Sequence, residues 1–373
     1  MDWVPPETDS LPDERAAAVL RQAVAQRPGD IVLKLRLARV LHARDSQQEI
    51  VDLLAPDVAR SDAPPEACFL FGRAAGRVAN PEAAIAALAR AGDRSDAAGH
   101  LADALYDAGQ RDDALACALT TLRRDPDERR SLTVASKVLL ARGETRALLD
   151  LCRDLRARGG RNGEITALLA LSAWAQGDGE WEPLLDRARW FARSEIVREA
   201  AAHAALAHEL LTHPALGRSA GYKATRGDGV RIERLERHGG AQAQALLAVI
   251  RERIDAYAAE RAIAMPDKVA LAAWALVLRG GGHEDWHIHP AARISGVYYV
   301  AVPPAAEESR AGEIAFGPLR QIANRDMRLF PSWSLRPRPG ELLLFPSYFA
   351  HRTWPTDSQA PRISVAFDVV PAG

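Results

Sequence analysis

The spacing of apolar residues divides the chain into two parts. Up to about residue 200, apolar positions recur every three or four residues, and the sequence is rich in Ala, Leu and Arg. This is the period and composition of helices with one buried face. From about Leu216 onward, glycines, prolines, valines and aromatic residues increase, and short alternating runs appear. The pattern therefore predicts a helical domain at 1–200 and a β-rich domain at 201–373.

The helical part repeats a short unit. In 100–126, one amphipathic helix ends near Gly109 and a second ends at Asp125-Pro126, because the residue before proline is pushed out of the helical region. An earlier copy closes at Arg27-Pro28, a later one turns at Gly143, and a looser one lies between them. The unit resembles a tetratricopeptide repeat of about 34 residues. That resemblance implies stacked helix pairs with a groove for peptides or partner helices.

The second part begins with the run GVRIERLER at 229–237, which we expect to be a strand, and a long amphipathic helix follows at about 241–262. Short apolar runs bounded by Gly or Pro follow it: KVALAAWALVLR, ISGVYYVAV, GEIAFG, GELLLFP and RISVAFDVV. Several short strands at regular spacing indicate a sandwich or jelly roll. The predicted fold class is therefore a multidomain α+β protein, in which an N-terminal α-helical repeat array precedes a double-stranded β-helix, or jelly-roll, domain with one supporting helix.

The amino-acid composition limits the classes of binding partner that we expect. The chain has 373 residues, 48 basic and 49 acidic, for a formal net charge of −1. Because nucleic-acid and membrane surfaces favour a basic excess, we expect neither as a partner. The sequence shows no signal peptide and no apolar stretch long enough for a membrane span, so we expect a cytoplasmic protein with reduced cysteines at Cys68, Cys117 and Cys152.

Candidate chemistry is concentrated in the β-rich part. His287 and His289 are two residues apart in a segment that we expect to be extended, so both imidazoles point to one face and can reach one metal ion. His351 follows the run GELLLFP. Arg362 and Ser364 begin the last predicted strand and also share a face. A guanidinium beside a hydroxyl suits a carboxylate ligand.

The order His-x-His, about sixty residues, His, about ten residues, Arg-x-Ser resembles the iron(II)/2-oxoglutarate oxygenases. The stretch 225–370 is similar to one branch of them, through the motifs HIHP, SGVYYV, PGELLLFPSYFAH and RISVAF. The resemblance implies a dioxygenase, by default a hydroxylase, that requires Fe(II) and 2-oxoglutarate. It implies iron ligands at His287, His289 and His351, and a 2-oxoglutarate carboxylate site at Arg362 and Ser364. One of the two adjacent tyrosines, which we take to be Tyr298, is expected to face inward and give the cosubstrate a phenolic hydrogen bond.

One departure from the family pattern leaves the ligand set open. His289 stands where most members have a carboxylate. Four residues before the proposed pair, His283-Glu284-Asp285 forms a literal His-x-Asp. Because His283 and Asp285 share strand parity with His287 and His289, parity alone does not exclude a site that uses Asp285 or His283. The glycines before His283 suggest a turn there, which favours the later pair.

Two other functions remain as alternatives. A metal-dependent cupin without 2-oxoglutarate fits the spacing from Gly281 to His287 and His289, although Arg293 and Ile294 stand where its glutamate is expected. A repeat-based interaction scaffold with an inactive jelly roll is the second. For the oxygenase, the repeats suggest a peptide or protein substrate by fold-level analogy, with a small-molecule substrate as the alternative.

Overall fold

The computed structural model describes residues 1–4, 14–197, 199–217, 224–305, 308–319 and 330–372. They form two compact units. One contains residues 14–161, and the other contains residues 1–4 and those described from Asn162 onward. This division falls earlier than the predicted boundary at residue 200, because the segment after Asn162 contributes a strand to the sheet of the second unit.

The first unit is a helical repeat array. Its helices are α1 (Glu14–Gln26), α2 (Ile31–Ala43), α3 (Gln47–Val58), α4 (Pro65–Arg77), α5 (Pro81–Leu88), α6 (Ser95–Asp107), α7 (Arg111–Arg124), α8 (Arg129–Ala141) and α9 (Thr145–Ala157). Helices α2, α4, α6 and α8 begin at residues 31, 65, 95 and 129, so the unit recurs after 34, 30 and 34 residues. This period confirms the repeat array expected from the sequence.

The turns between paired helices form where the sequence predicts them. Gly109 follows α6 with φ +80°, and Gly143 follows α8 with φ +73°, a left-handed conformation that glycine adopts without strain. Helix α7 ends before Asp125, whose backbone is extended ahead of Pro126. Within the array, a continuous core of buried side chains joins α2 to α6, including Leu41, Leu54 and Leu70.

The second unit combines helices with two sheets. Its helical elements are α10 (Gly163–Ala175), a 3-10 turn (Gly179–Trp181), α11 (Glu182–Leu185), α12 (Arg187–Trp190), α13 (Ala200–Leu211), α14 (Leu235–His238) and α15 (Ala241–Glu260). Its strands are β1 (Asp2–Trp3), β2 (Ala192–Glu195), β3 (Thr225–Ile232), β4 (Lys268–Glu284), β5 (Ile294–Ala301), β6 (Ile314–Phe316), β7 (Trp333–Leu335), β8 (Glu341–Pro346), β9 (His351–Thr353) and β10 (Arg362–Pro371).

The strands form the two sheets of a jelly roll. The large sheet has the order β1-β4-β10-β5-β8-β2, with β3 also paired to β4, and the small sheet has the order β7-β6-β9. One face of the large sheet packs against α13 and α15 through an apolar core that includes Leu206, Ile250 and Phe367. A second core, which includes Phe316 and Phe345, joins the large sheet to the small one. The predicted fold class is confirmed.

Strand β4 runs further than predicted. We expected the glycines before His283 to form a turn, but the strand continues through them to Glu284. Gly280 and Gly281 have φ of +42° and +91°, and the pairing of β3 with β4 shifts register opposite them. A side chain at Gly282 would meet the carbonyl oxygen of Asp228 at 2.5 Å. The glycines therefore form an irregularity inside the strand rather than its end.

Among the described residues, no helix is long and apolar enough to cross a membrane.

Candidate active site

Three histidines meet inside the jelly roll. The backbones of His287 and His351 exchange two hydrogen bonds of 3.0 Å, and the amide of His289 donates to the carbonyl of Ser347, also at 3.0 Å. These bonds hold the segment after β4 against the start of β9. Each ring contributes one nitrogen to a group of three that lie within 4.8 Å of one another. In the described part of the chain, this is the one group of His, Cys, Asp or Glu residues with metal-binding geometry.

The outward nitrogen of each ring is fixed by an acceptor. Nδ1 of His287 lies 2.6 Å from the carbonyl oxygen of Asp285, and Nδ1 of His351 lies 2.9 Å from that of Phe349. Nδ1 of His289 lies 2.9 Å from a carboxylate oxygen of Asp368. When each Nδ1 carries the proton and donates it, each Nε2 keeps a lone pair for a metal. The three rings are therefore oriented as metal ligands.

Burial favours the neutral form of His287 and His351. It lowers the pKa of His351 to about 3, and the neighbouring His289 adds to the effect. It also lowers the pKa of His287 well below its usual range, with further contributions from His351 and His289. Neutral imidazole is the form that binds a metal ion. The donor set thus fits the Fe(II) that the sequence motifs imply.

Strand β10 brings the predicted anion site into the same cavity. Arg362, Ser364 and Ala366 alternate along one face of the strand and line a cavity with the three histidines. Arg362 is only 2% exposed, and its Nε and Nη2 atoms have no hydrogen-bond partner among the described residues. A buried guanidinium without a partner is costly, so it suits an anionic ligand that enters the cavity. A carboxylate of 2-oxoglutarate matches this requirement.

The tyrosine beside this guanidinium is not the predicted one. We expected Tyr298 to face inward, but its side chain lies in the core between the large sheet and the helices, with its hydroxyl 3.5 Å from Nδ1 of His203. Tyr299 lines the cavity instead, and the guanidinium carbon of Arg362 lies 5.0 Å from the centre of its ring. Burial raises the pKa of Tyr299 to about 12, which keeps its hydroxyl protonated as a donor. That hydroxyl has no hydrogen-bond partner among the described residues.

The alternative ligands are placed elsewhere. The carboxylate of Asp285 lies 3.2 Å from Nε of Arg226, and its side chain is 41% exposed. Nδ1 of His283 lies 2.9 Å from the carbonyl oxygen of Gly281. Neither residue is in the cluster formed by the three histidines. The geometry therefore favours His287 and His289 over a pair that uses His283 or Asp285.

Two acidic residues of the site were missed by the sequence argument. Asp368 accepts a hydrogen bond of 2.6 Å from the Ser295 hydroxyl as well as the bond from His289. It has the strand parity of Arg362 and Ser364, which could have identified it. Glu284 is 5% exposed, lines the cavity, and has a pKa that burial raises. Glu284 has the strand parity of Trp274 and Leu276, which also line the cavity, although the glycines between them led us to expect a turn there.

Comparison with known families identifies the class. Residues 272–368 match the family described as "Putative 2OG-Fe(II) oxygenase". This confirms the resemblance drawn from the sequence motifs, and the matched segment contains all three histidines, Arg362 and Asp368. The matched segment is similar to the 2-oxoglutarate- and Fe(II)-dependent oxygenases, a family of oxidoreductases whose cofactors are Fe(II) and 2-oxoglutarate. Among curated proteins, none matches the sequence.

Several solved structures are similar at low identity. A prolyl-4-hydroxylase of Pseudomonas putida is 15% identical, with a TM-score of 0.38, over 50% of this chain and 96% of that one. A prolyl hydroxylase of Trichoplax adhaerens, in complex with a peptide fragment of hypoxia inducible factor, is 15% identical, with a TM-score of 0.36, over 49% and 84%. YrrB, a tetratricopeptide repeat protein with an unusual peptide-binding site, is 13% identical, with a TM-score of 0.37, over 46% and 92%. These similarities are too low to support a function.

Proposed function

We propose that this oxygenase hydroxylates a peptide or protein substrate that its helical repeats recruit. In this proposal His287, His289 and His351 hold the iron. Arg362 and Ser364 bind the distal carboxylate of 2-oxoglutarate, and Tyr299 takes the role predicted for Tyr298. The observation that carries the proposal is the meeting of three oriented imidazoles and a buried, unpartnered guanidinium in one cavity.

The chain's own residues position the reactants. Bound Fe(II) and 2-oxoglutarate would supply the oxidising chemistry, in which a substrate C–H group, O₂ and the oxoacid yield a hydroxylated product, succinate and CO₂. Asp368 holds the ring of His289, and the carbonyls of Asp285 and Phe349 hold the other two rings. The apolar side chains that line the cavity limit the entry of water.

The substrate class is supported by the first unit. A groove of about 410 Å³ lies at α6 and α7, and its walls combine charged and small residues: Asp93, Arg94, Ser95, Ala98, Ala116, Cys117, Thr120, Thr121 and Arg124. Such a mixed surface suits an extended peptide, whose backbone requires hydrogen bonds while its side chains contact small residues. A small-molecule substrate would have no need of this groove.

The cofactor assignment is tested by anaerobic titration with Fe(II), with and without 2-oxoglutarate. We expect a visible charge-transfer band to appear only when both are present. His351→Ala should lower metal affinity by about 100-fold or more, because it removes one of three ligands. Metal binding without the band would favour a cupin, and absence of metal binding would favour a scaffold with an inactive jelly roll.

Recruitment is tested by filling the groove. Ala116→Trp, at an exposed position, should lower the yield of product that carries one added oxygen atom, as measured by mass spectrometry of captured peptides. The turnover of 2-oxoglutarate without substrate should stay unchanged. Ala157→Trp, at an exposed position of α9 away from the groove, is the matched control. Equal product from both variants would reject recruitment through this groove.

A further inference from the structure

We propose that Glu284 supplies the metal centre with the negative charge that its three histidines lack, from a position beside the ligands. The inference rests on the metal site of the proposed function. Three neutral imidazoles leave the charge of Fe(II) uncompensated, whereas the usual ligand set of this family includes one carboxylate. A carboxylate placed next to the ligands can stabilise the bound cation through space.

The position of Glu284 fits this role. Its Oε2 atom lies 3.9 Å from Nε2 of His287, the nitrogen that faces the other histidines. The side chain lines the cavity that His289, His351 and Arg362 also line. Glu284 is nevertheless outside the group whose ligand atoms all lie within 4.8 Å of one another. It is therefore placed as a neighbour of the metal rather than as a fourth member of the cluster.

Its surroundings hold the carboxylate in place. The hydroxyl of Thr225 donates to Oε1, and Nη1 of Arg231 lies 3.9 Å from the same oxygen. The backbone amide of Glu284 donates to the hydroxyl of Thr353 at 2.8 Å. Oε1 thus faces Thr225 and Arg231, while Oε2 faces His287. This arrangement fixes one oxygen and leaves the other facing Nε2 of His287.

Asp368, the other acidic residue of the site, does not supply this charge in place of Glu284. Asp368 is engaged with Nδ1 of His289 and with the Ser295 hydroxyl, so its charge acts through the ring of one ligand. Glu284 instead approaches the metal-binding side of the neighbouring ring. The two carboxylates therefore approach different rings, and their contributions can be separated by substitution.

The test measures metal affinity, with Fe(II) under anaerobic conditions and with Co(II). Glu284→Gln keeps the shape of the side chain and removes its charge, so we expect affinity to fall by about 10- to 100-fold, the range typical of partners just outside the ligand set. Glu284→Asp should restore part of the loss. Glu233→Gln is the matched control, because Glu233 contacts Arg231 at 2.9 Å from an exposed position, and we expect no change.

Two further variants separate charge from structure. Thr225→Val removes the hydrogen bond to Oε1 but keeps the charge, so its metal affinity should stay within about threefold of the wild type, as loss of a single hydrogen bond predicts. If Glu284→Gln does not fold, Glu284→Ala with added acetate replaces it, and acetate but not acetamide should restore binding. Unchanged affinity in Glu284→Gln, or equal losses in Glu284→Gln and Thr225→Val, would overturn the inference. Absence of metal binding in the wild type would instead overturn the proposed function on which it rests.

Discussion

Each unit of the molecule buries a cationic side chain, and the two are satisfied differently. In the helical unit, Lys34 is 8% exposed, and its ammonium group lies 2.7 Å from a carboxylate oxygen of Asp57. In the oxygenase unit, Arg362 is 2% exposed, and two of its guanidinium nitrogens have no hydrogen-bond partner among the described residues. One cation is paired within the fold, and the other is not.

The difference separates structural charges from functional ones. Removing a charge from water is unfavourable, and a nearby opposite charge offsets that penalty within the folded chain. Lys34 and Asp57 therefore need nothing else. Nε and Nη2 of Arg362 have no hydrogen-bond partner in the described part of the chain, which is why we propose that an anion entering the cavity, 2-oxoglutarate, pairs with it. A buried cation without a partner is thus a stronger sign of a binding site than a buried ion pair.

The largest effect is expected at the unpaired cation. Arg362→Met removes the charge and keeps most of the volume, so 2-oxoglutarate affinity should fall by about 100-fold, as loss of two charge-assisted hydrogen bonds predicts. The ligand-free protein should be as stable as the wild type or more so, because the substitution removes a buried guanidinium with two nitrogens that lack hydrogen-bond partners among the described residues. Anaerobic titrations and thermal unfolding measure the two properties. A clear loss of ligand-free stability, or equal losses of metal and 2-oxoglutarate binding, would show that Arg362 is structural.

The second-largest effect is expected at Asp368, a charged residue of the site whose carboxylate is fully paired. Asp368→Asn replaces the acceptor of the His289 Nδ1 proton, so the ring loses its fixed orientation and tautomer. Metal affinity should fall by about 10- to 100-fold. Ser295→Ala is the milder comparison, since it removes only the hydroxyl that donates to Asp368. If Asp368→Asn binds metal as tightly as the wild type, the ring of His289 does not depend on this carboxylate.

The sequence predicted an element only where its hydrophobic pattern extends over enough residues. The repeat period, the long helix at 241–260 and the longer strands were all evident, because each extends over several periods of its pattern. Strands β2, β7 and β9 have three or four residues each, too few for a periodicity to appear. Part of the strand predicted at 229–237 is instead helix α14.

The sequence predicted those residues of the site whose positions follow from their spacing along a strand. It did not predict those whose positions depend on local backbone geometry. His287, His289 and Arg362 follow from strand parity and motif order. Tyr298 and Tyr299 point to opposite faces of β5, and both faces are buried, so composition could not distinguish them. Glu284 shares the strand parity of Trp274 and Leu276, which line the same cavity, but the left-handed glycines between them interrupt the pattern in the sequence.

A smaller effect is expected at the paired cation of the helical unit. Asp57→Asn leaves Lys34 buried without its counterion, so the helical unit should be destabilised by about 1–3 kcal/mol. Urea unfolding monitored by circular dichroism, which reports helix content, measures this loss of stability. Asp62→Asn is the control, because its partner Arg60 is 67% exposed and ion pairs at exposed positions contribute little to stability. Equal changes in the two variants would remove the contrast between buried and exposed pairs.

The smallest effect distinguishes the two adjacent tyrosines. Tyr299→Phe removes a cavity hydroxyl that has no partner among the described residues, so ligand-free stability should be unchanged or slightly higher. If that hydroxyl donates to 2-oxoglutarate beside Arg362, affinity for the oxoacid should fall by about 3- to 10-fold, the effect of one neutral hydrogen bond.

Tyr298→Phe is the matched control on the opposite face of the strand. Its hydroxyl lies near His203, away from the cavity, so 2-oxoglutarate affinity should not change. Both variants lose a single oxygen atom from neighbouring buried positions, so general loosening of β5 would affect them alike. A loss confined to Tyr298→Phe would instead support the original prediction for that residue. A loss confined to Tyr299→Phe would mean that Arg362 and Tyr299, the two cavity groups with unpartnered polar atoms, bind the same cosubstrate.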